Sequence, residues 1–217
     1  MKKSADTRFR KRVFLLEEEA FILADREPDA MLWAFWTGKE AAYKAVQKEW
    51  IDVPAIPHLY RVGITGEGDE RRPRRRGQEQ RRLLGNVATP QGNIALEILL
   101  TADYAHSVAL SGPAGGGEQV LWRIKPLPLV AKSSPDQESR YIRGAAKRHL
   151  SRYWHSSVKD VDIRRRQGPR GLEPPRLYFR QQASAVDISL SHDGNFAAYA
   201  LAFPNPDNLK VTGKRDK

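Results

Sequence analysis

The run LWAFWTGKEAAYKAVQK, residues 32–48, gathers aromatic side chains, lysines and one carboxylate in a stretch of helical periodicity. Trp36, Glu40 and Lys44 follow at intervals of four, which on a helix of 3.6 residues per turn makes one continuous stripe. Leu32, Phe35, Ala42 and Val46 fall on other parts of the circumference and supply apolar material for packing. On spacing alone, Glu40 and Lys44 read as a surface ion pair worth roughly 0.2–0.5 kcal/mol. Trp33 and Trp36 argue against a purely solvated face, because an indole is costly to leave in water.

Around this helix the chain has 217 residues, 40% of them hydrophobic and five of them Trp, enough for one sizeable domain or two small ones. The absence of cysteine excludes disulfides, zinc-thiolate sites and thiol catalysis. The opening MKKSADTRFRKR has no apolar segment behind its charges, so it does not read as a secretory signal, and no run reaches the length of a membrane span. A soluble cytoplasmic protein with no membrane partner is expected. Lys and Arg total 37 against 26 Asp and Glu, and the net charge of +11 points to an anionic partner.

Upstream of the helix, residues 8–27 read as an extended piece ending at Val13 or Phe14. A helix over residues 17–24 follows, with Ala20, Phe21 and Leu23 inward, and Pro28 stops it. Asp29 is the expected cap of the 32–48 helix, which should end near Glu49 or Trp50. Residues 66–85 hold seven arginines between Arg71 and Arg82 and read as a mobile loop, able to clamp phosphates or an acidic protein, or simply solvated. No aromatics interleave with these arginines, which weighs against single-stranded nucleic acid as the partner.

Residues 93–101 and 104–110 read as an antiparallel hairpin, with His106 as a structural histidine inside its second strand. The GPAGGG run, residues 112–117, is a flexible connection between halves. A strand over residues 119–124 precedes a helix with Ser134 as N-cap, Pro135 at N1 and Gln137 at N3, running to about Trp154. Tyr141, Ile142, Ala145, Ala146 and Leu150 form its apolar face, while Arg140, Arg143, Lys147 and Arg148 make the other side cationic. Strands are expected over residues 158–164 and 175–179. A hairpin then rises through Val186, Ile188 and Leu190, turns at His192-Asp193-Gly194-Asn195 and returns over residues 196–203. The tail 204–217 is expected to be disordered.

These elements make an α+β fold of two similar subdomains related by a pseudo-twofold, each a long helix packed on a small antiparallel sheet. The first spans residues 1–116 and carries the Arg-rich loop; the second spans 117–203 and carries the SLSHDG hairpin.

The run Trp36-Thr37-Gly38-Lys39-Glu40-Ala41-Ala42-Tyr43-Lys44 resembles the K-E-A-x-x-K signature of the 4'-phosphopantetheinyl transferases. RFRKRVFLLEEEAFI resembles the family's segment before that helix, and ISLSHDGNFAAYA is similar to its S-x-S-H strand and turn. The resemblance implies that Glu40 is a magnesium ligand, that Lys44 contacts phosphate with help from Lys39, and that Ser191 and His192 bind phosphates of coenzyme A. Arg140 and Arg143 match the family's cationic coenzyme-binding positions loosely. Arg176, in Pro175-Arg176-Leu177, stands where a G-K-P lysine is usual. The implied activity is Mg²⁺-dependent transfer of phosphopantetheine from coenzyme A to a serine of an acidic acyl or peptidyl carrier protein, by a monomer of pseudo-dimeric build.

The family's G-x-D strand, whose aspartate is a principal metal ligand, has no counterpart in this sequence. The alternative expectation is therefore a catalytically impaired relative that binds coenzyme A or a carrier protein. A nucleic-acid-binding protein acting through the Arg-rich loop ranks last.

Overall fold

The computed structural model describes residues 3–50, 52–68, 80–111, 119–132, 134–168 and 171–204. The chain divides into two compact units, Met1–Ala114 and Gly115–Lys217.

In unit 1, residues 8–13 are helical rather than extended. Asp6 caps helix α1 (Thr7–Val13) by accepting the Phe9 amide at 2.9 Å, and it receives the Lys3 ammonium at 2.8 Å. Lys3 first, and the Phe9 amide after it, hold the Asp6 carboxyl below its usual range. Helix α2 (Leu16–Ala24) buries Glu18 and Ile22, one turn apart. Phe21 and Leu23 stay 45% and 46% exposed, and Ala20 also faces outward, so the expected inward face is overturned. A carboxylate takes the inner position because a buried lysine waits for it.

That lysine belongs to helix α3 (Pro28–Glu49), which buries Met31, Leu32, Ala34, Phe35, Gly38, Lys39, Ala42, Ala45 and Val46. Pro28 occupies the first helical position, where a missing N–H costs nothing, so the helix starts ahead of Asp29. Asp29 instead accepts the Ser4 amide at 2.6 Å. Lys39 Nζ lies 2.7 Å from Glu18 Oε2 and donates to the Tyr60 and Pro57 carbonyls at 2.6 and 3.1 Å. Glu18 also accepts the Val62 and Leu15 amides at 2.8 and 2.9 Å. Burial pushes the Lys39 ammonium below the usual lysine range, and Glu18 opposes that shift.

Strands β1 (Arg61–Glu67), β2 (Gln80–Thr89), β3 (Gly92–Thr101) and β4 (Ala105–Leu110) form an antiparallel sheet in that order. Val62, Leu83, Val87, Ile94, Leu96, Ile98 and Leu100 share one core with α3. Gly38 permits the close approach: a Cβ there would stand 3.2 Å from a Leu96 methyl and 3.3 Å from a Val62 methyl.

The expected hairpin of β3 and β4 is thus half of a larger sheet. The expected Arg-rich loop is shortened by strand β1 reaching Glu67 and β2 starting at Gln80. Arg81 pairs with Asp25 at 3.0 Å and with Glu67 at 3.3 Å, and Arg82 with Glu97 at 2.8 Å. A strand carries these arginines because each has a carboxylate in reach. The other five arginines of the run lie outside the described residues, as does the GPAGGG connection.

In unit 2, strand β5 (Gln119–Pro126) precedes helix α4 (Pro135–Tyr153), whose N-cap Ser134 accepts the Gln137 amide at 3.3 Å. Ile142, Ala145, Ala146 and Leu150 are buried as the periodicity requires. Strand β6 (Val161–Arg164) leads into a two-stranded excursion, β7 (Gln167–Gly168) and β8 (Gly171–Leu172). It pairs with β9 (Arg176–Phe179), which also pairs with β10 (Gln182–Ala183).

Strands β11 (Asp187–Asp193) and β12 (Phe196–Phe203) form a sheet with β5, in the order β11-β12-β5. Val161, Ile163, Leu177, Ile188, Tyr199 and Leu201 share the core of α4. His192 and Asp193, read from the sequence as turn residues, are the last two residues of β11. The turn contracts to Gly194 and Asn195, with Gly194 at φ +56° supplying the left-handed conformation. The tail beyond Pro204 lies outside the described residues.

The architecture is mixed α+β, with helices packed against small antiparallel sheets. Among the described residues no helix is long and apolar enough to cross a membrane.

Removing one member of the Glu18 and Lys39 pair leaves a buried charge with no counter-ion. Glu18→Leu is expected to destabilise the full chain by about 3–5 kcal/mol in urea unfolding, and Lys39→Met by a similar amount. The double variant Glu18→Leu with Lys39→Met should recover part of the loss, the remainder reflecting the stranded Val62 amide and Tyr60 carbonyl. Additive losses would show that the two side chains are not coupled.

Candidate functional site

On α3, the stripe of Trp36, Glu40 and Lys44 stays half-buried, while Lys39 is 2% exposed. The two lysines of the K-E-A-x-x-K run are therefore divided. Lys39 is engaged by Glu18 and two carbonyls inside the core, whereas Glu40 and Lys44 lie on the partly solvated side of the helix. Trp36 packs on Phe9 at 6.1 Å between ring centroids, and Lys3 stands over the same Phe9 ring at 4.6 Å. Tyr43 meets Tyr60 edge-on at 5.8 Å, and burial together with Tyr43 raises the Tyr60 phenol to about 12.

Glu40 contributes one carboxylate. Among the described residues no group of three or more His, Cys, Asp or Glu gathers as a metal-binding set. Magnesium keeps most of its waters and takes one or two carboxylates together with substrate phosphates. Glu40 could serve as one such carboxylate beside substrate phosphates and waters, whereas the described side chains by themselves form no cage of three or more ligands for a resident ion.

In unit 2, the sequence-selected residues divide again. Strand alternation continues to the end of β11, so Ser191 and His192 point to opposite faces of the sheet. His192 faces α4, where its Nδ1 lies 2.6 Å from Glu138 Oε2. With a carboxylate accepting at Nδ1, that nitrogen carries the proton, and Nε2 is the ring nitrogen left to meet anything else. Glu138 lies in the first turns of α4, where a negative charge suits the helix dipole. Nothing in the spacing of the sequence pairs it with His192, 54 positions away.

Arg140 is exposed on α4. Arg143 lies one turn before Lys147, and its Nε is buried with no hydrogen-bond partner among the described residues. Lys147 reaches Asp162 on β6 at 3.6 Å, and Arg164 takes the same carboxylate at 2.8 Å while lying over the Tyr178 ring at 4.5 Å. Arg176 is exposed on β9, directly across from Arg164 in the strand register.

A second cationic zone surrounds His149, whose Nδ1 lies 2.8 Å from the Tyr199 hydroxyl. Burial first, then Arg123, Arg152 and Lys125, lower the His149 pKa. Burial raises that of Tyr199, so a protonated phenol and a neutral imidazole share this bond, its direction set by the imidazole tautomer. Sequence reading passed over His149 because a histidine on a cationic helix carries no motif.

Compared with models of protein families, curated proteins and solved structures, the chain finds no match.

The His149 environment sets a pH dependence. The folded chain resists protonating this ring, so unfolded chains take up a proton first as pH falls below the ordinary 6.5. Stability contributed here is complete above that value and declines as pH falls through it toward the lower folded pKa. An NMR titration of the His149 ring should give a midpoint below 6.5 that rises in Arg123→Gln. A midpoint at or above 6.5 in the native chain would contradict this electrostatic description.

Proposed function

We propose that the chain transfers the 4'-phosphopantetheine group of coenzyme A to a serine of an acidic acyl or peptidyl carrier protein. The observation that carries this reading is the arrangement of the K-E-A-x-x-K run on α3. Glu40 and Lys44 stand one turn apart on the partly solvated side, and Lys39 is withdrawn to anchor the helix.

In this reading the carrier serine attacks the β-phosphorus, the new serine O–P bond forms as the bond to adenosine 3',5'-bisphosphate breaks, and Glu40 takes the serine proton. Lys44 holds phosphate oxygens as charge builds on them. In unit 2, His192, held by Glu138, and Arg140, Arg143 and Arg176 recognise anionic groups of the coenzyme. Ser191, turned to the other face of its sheet, takes no part with His192. A net charge of +11 favours encounter with an acidic carrier and with a polyanionic coenzyme, and the advantage weakens with salt. The reading carries with it a cytoplasmic monomer built of two alike halves.

A second reading, a relative that binds coenzyme A or a carrier protein without turnover, is favoured by the single carboxylate at Glu40 and the lack of a gathered acidic set among the described residues. The nucleic-acid reading is weakened because Arg81 and Arg82 are engaged by Asp25, Glu67 and Glu97.

Incubating the full chain with coenzyme A, a magnesium salt and apo carrier proteins, followed by intact-mass measurement, separates these readings. The transferase predicts phosphopantetheine on the carrier serine and a drop of roughly 10²- to 10⁴-fold in turnover for Glu40→Gln. Coenzyme A or carrier binding with no transfer to any carrier would favour the second reading; absence of transfer together with absence of binding to either would sink both.

A further inference from the structure

Strand β12 runs beneath the C-terminal half of α4, with β5 beside it at the sheet edge. Register pairs Phe203 with Gln119, Leu201 with Leu121, Tyr199 with Arg123 and Ala197 with Lys125. Tyr199 and Leu201 belong to the core of α4, so alternation puts this whole set on the helix-facing side of the sheet.

One end of the seam is aromatic. The Tyr153 and Phe203 rings lie 4.7 Å apart between centroids, and the Trp154 and Phe179 rings 4.8 Å. With Gln119 and Gln182 they line an open cavity of about 490 Å³, a volume typical of small-molecule sites. Its lining holds no ionisable carboxylate, amine, guanidinium or imidazole among the described residues. Tyr153 is 46% exposed, so ring surface is available to a guest. The two amides present donors and acceptors together, which suits the edge of a heteroaromatic base whose faces meet the rings. Arg180, over the Phe179 ring at 5.2 Å, disfavours a cationic guest.

The neighbouring stretch is cationic. It lies four residues along β5, about 13 Å, and one turn back along α4. His149 bonds the Tyr199 hydroxyl at 2.8 Å, and Arg123 stands directly across from Tyr199 in the register. Arg152 follows His149 by three positions and shares its flank of the helix, while Lys125 follows Arg123 on the same strand face. Arg123 and Arg152 are exposed, Lys125 is half-buried, and among the described residues none of the three has a carboxylate partner. Only the Trp122 carbonyl, at 3.1 Å, engages Arg123.

We propose that this seam is a binding site for a nucleoside diphosphate, with the base in the aromatic cavity and the phosphates on Arg152 and Arg123. Rings and amides recognise the base, and two planar guanidinium forks match the phosphate oxygens. The site lies wholly in unit 2. It is separate from the coenzyme-binding residues of the transferase reading, because His192 and Glu138 meet at the opposite end of the β11 and β12 hairpin from Phe203.

Isothermal titration of the full chain with ADP tests this, with adenosine and inorganic pyrophosphate probing each half alone. ADP is expected to bind, and adenosine and pyrophosphate each to bind at least about tenfold more weakly. Tyr153→Ala and Arg152→Gln, both at exposed side chains, should each weaken ADP roughly tenfold. Lys132→Gln removes a cation at the Asn195 end of the hairpin and should leave ADP affinity within about twofold.

A second readout needs no variant. Phosphate beside Arg123 and Arg152 offsets their charge, so saturating ADP should raise the NMR titration midpoint of the His149 ring, whereas saturating adenosine leaves it in place. Failure of ADP to bind, adenosine or pyrophosphate binding as tightly as ADP, an unmoved His149 midpoint, or an equal loss in Lys132→Gln would overturn the site. Coenzyme A also carries a nucleoside diphosphate. ADP affinity lost in His192→Ala and kept in Tyr153→Ala would place the nucleotide at the coenzyme residues and overturn the proposal. ADP binding through Tyr153 and Arg152 without phosphopantetheine transfer would uphold the site while the transferase reading fails alone.

Discussion

The buried contact of Glu18 with Lys39 is the constraint from which unit 1 follows. One carboxylate accepts from Lys39, from the Val62 amide at the start of β1 and from the Leu15 amide ahead of α2, while Lys39 donates to two carbonyls of the segment entering the sheet. Two helices, a strand and a loop are thereby joined at one point in the core. Both charges lie almost fully out of water, so the contact is tolerable only because nearly every donor and acceptor around it is answered. This network also rotates α2, turning Phe21 and Leu23 outward, and brings Lys39 inside while Glu40 and Lys44 remain outside.

The consequence for function is a division of labour within one short motif. Gly38 lets α3 approach Leu96 and Val62, Lys39 locks the helix to α2 and β1, and Glu40 and Lys44 stand on the side left partly open. Read as chemistry alone, all the polar residues of the run would be assigned to a ligand; packed in the protein, one lysine becomes part of the scaffold.

How much of this is legible in the sequence depends on how far apart the interacting residues are. The long helices, the Ser134 cap and the returning strand β12 rest on local periodicity and turn chemistry, and the sequence announces them. The Asp6 cap is also local, and Asp6 ahead of helix-forming Arg and Lys is a legible helix start that the extended reading of residues 8–13 passes over. Strand β2 escaped because Arg81 and Arg82 look like loop residues until Asp25 and Glu97 are brought beside them. Glu18 and Lys39 are 21 positions apart, and Glu138 and His192 are 54 apart, so neither pair has a periodic signature. Ser191 and His192 were adjacent in the reading, yet two residues of extra strand length send them to opposite faces.

Lys39 is a core residue and not a ligand-facing one, a property that chemical accessibility reads directly. Trace acetylation of the native full chain, quantified by peptide mass spectrometry, compares Lys39 with the exposed Lys11 and Lys159 in the same sample. Lys39 should remain essentially unmodified while Lys11 and Lys159 react, and it should react like them once the chain is unfolded in urea. Native-state labelling of Lys39 at the rate of Lys11 and Lys159 would instead place its ammonium at the surface, free of Glu18.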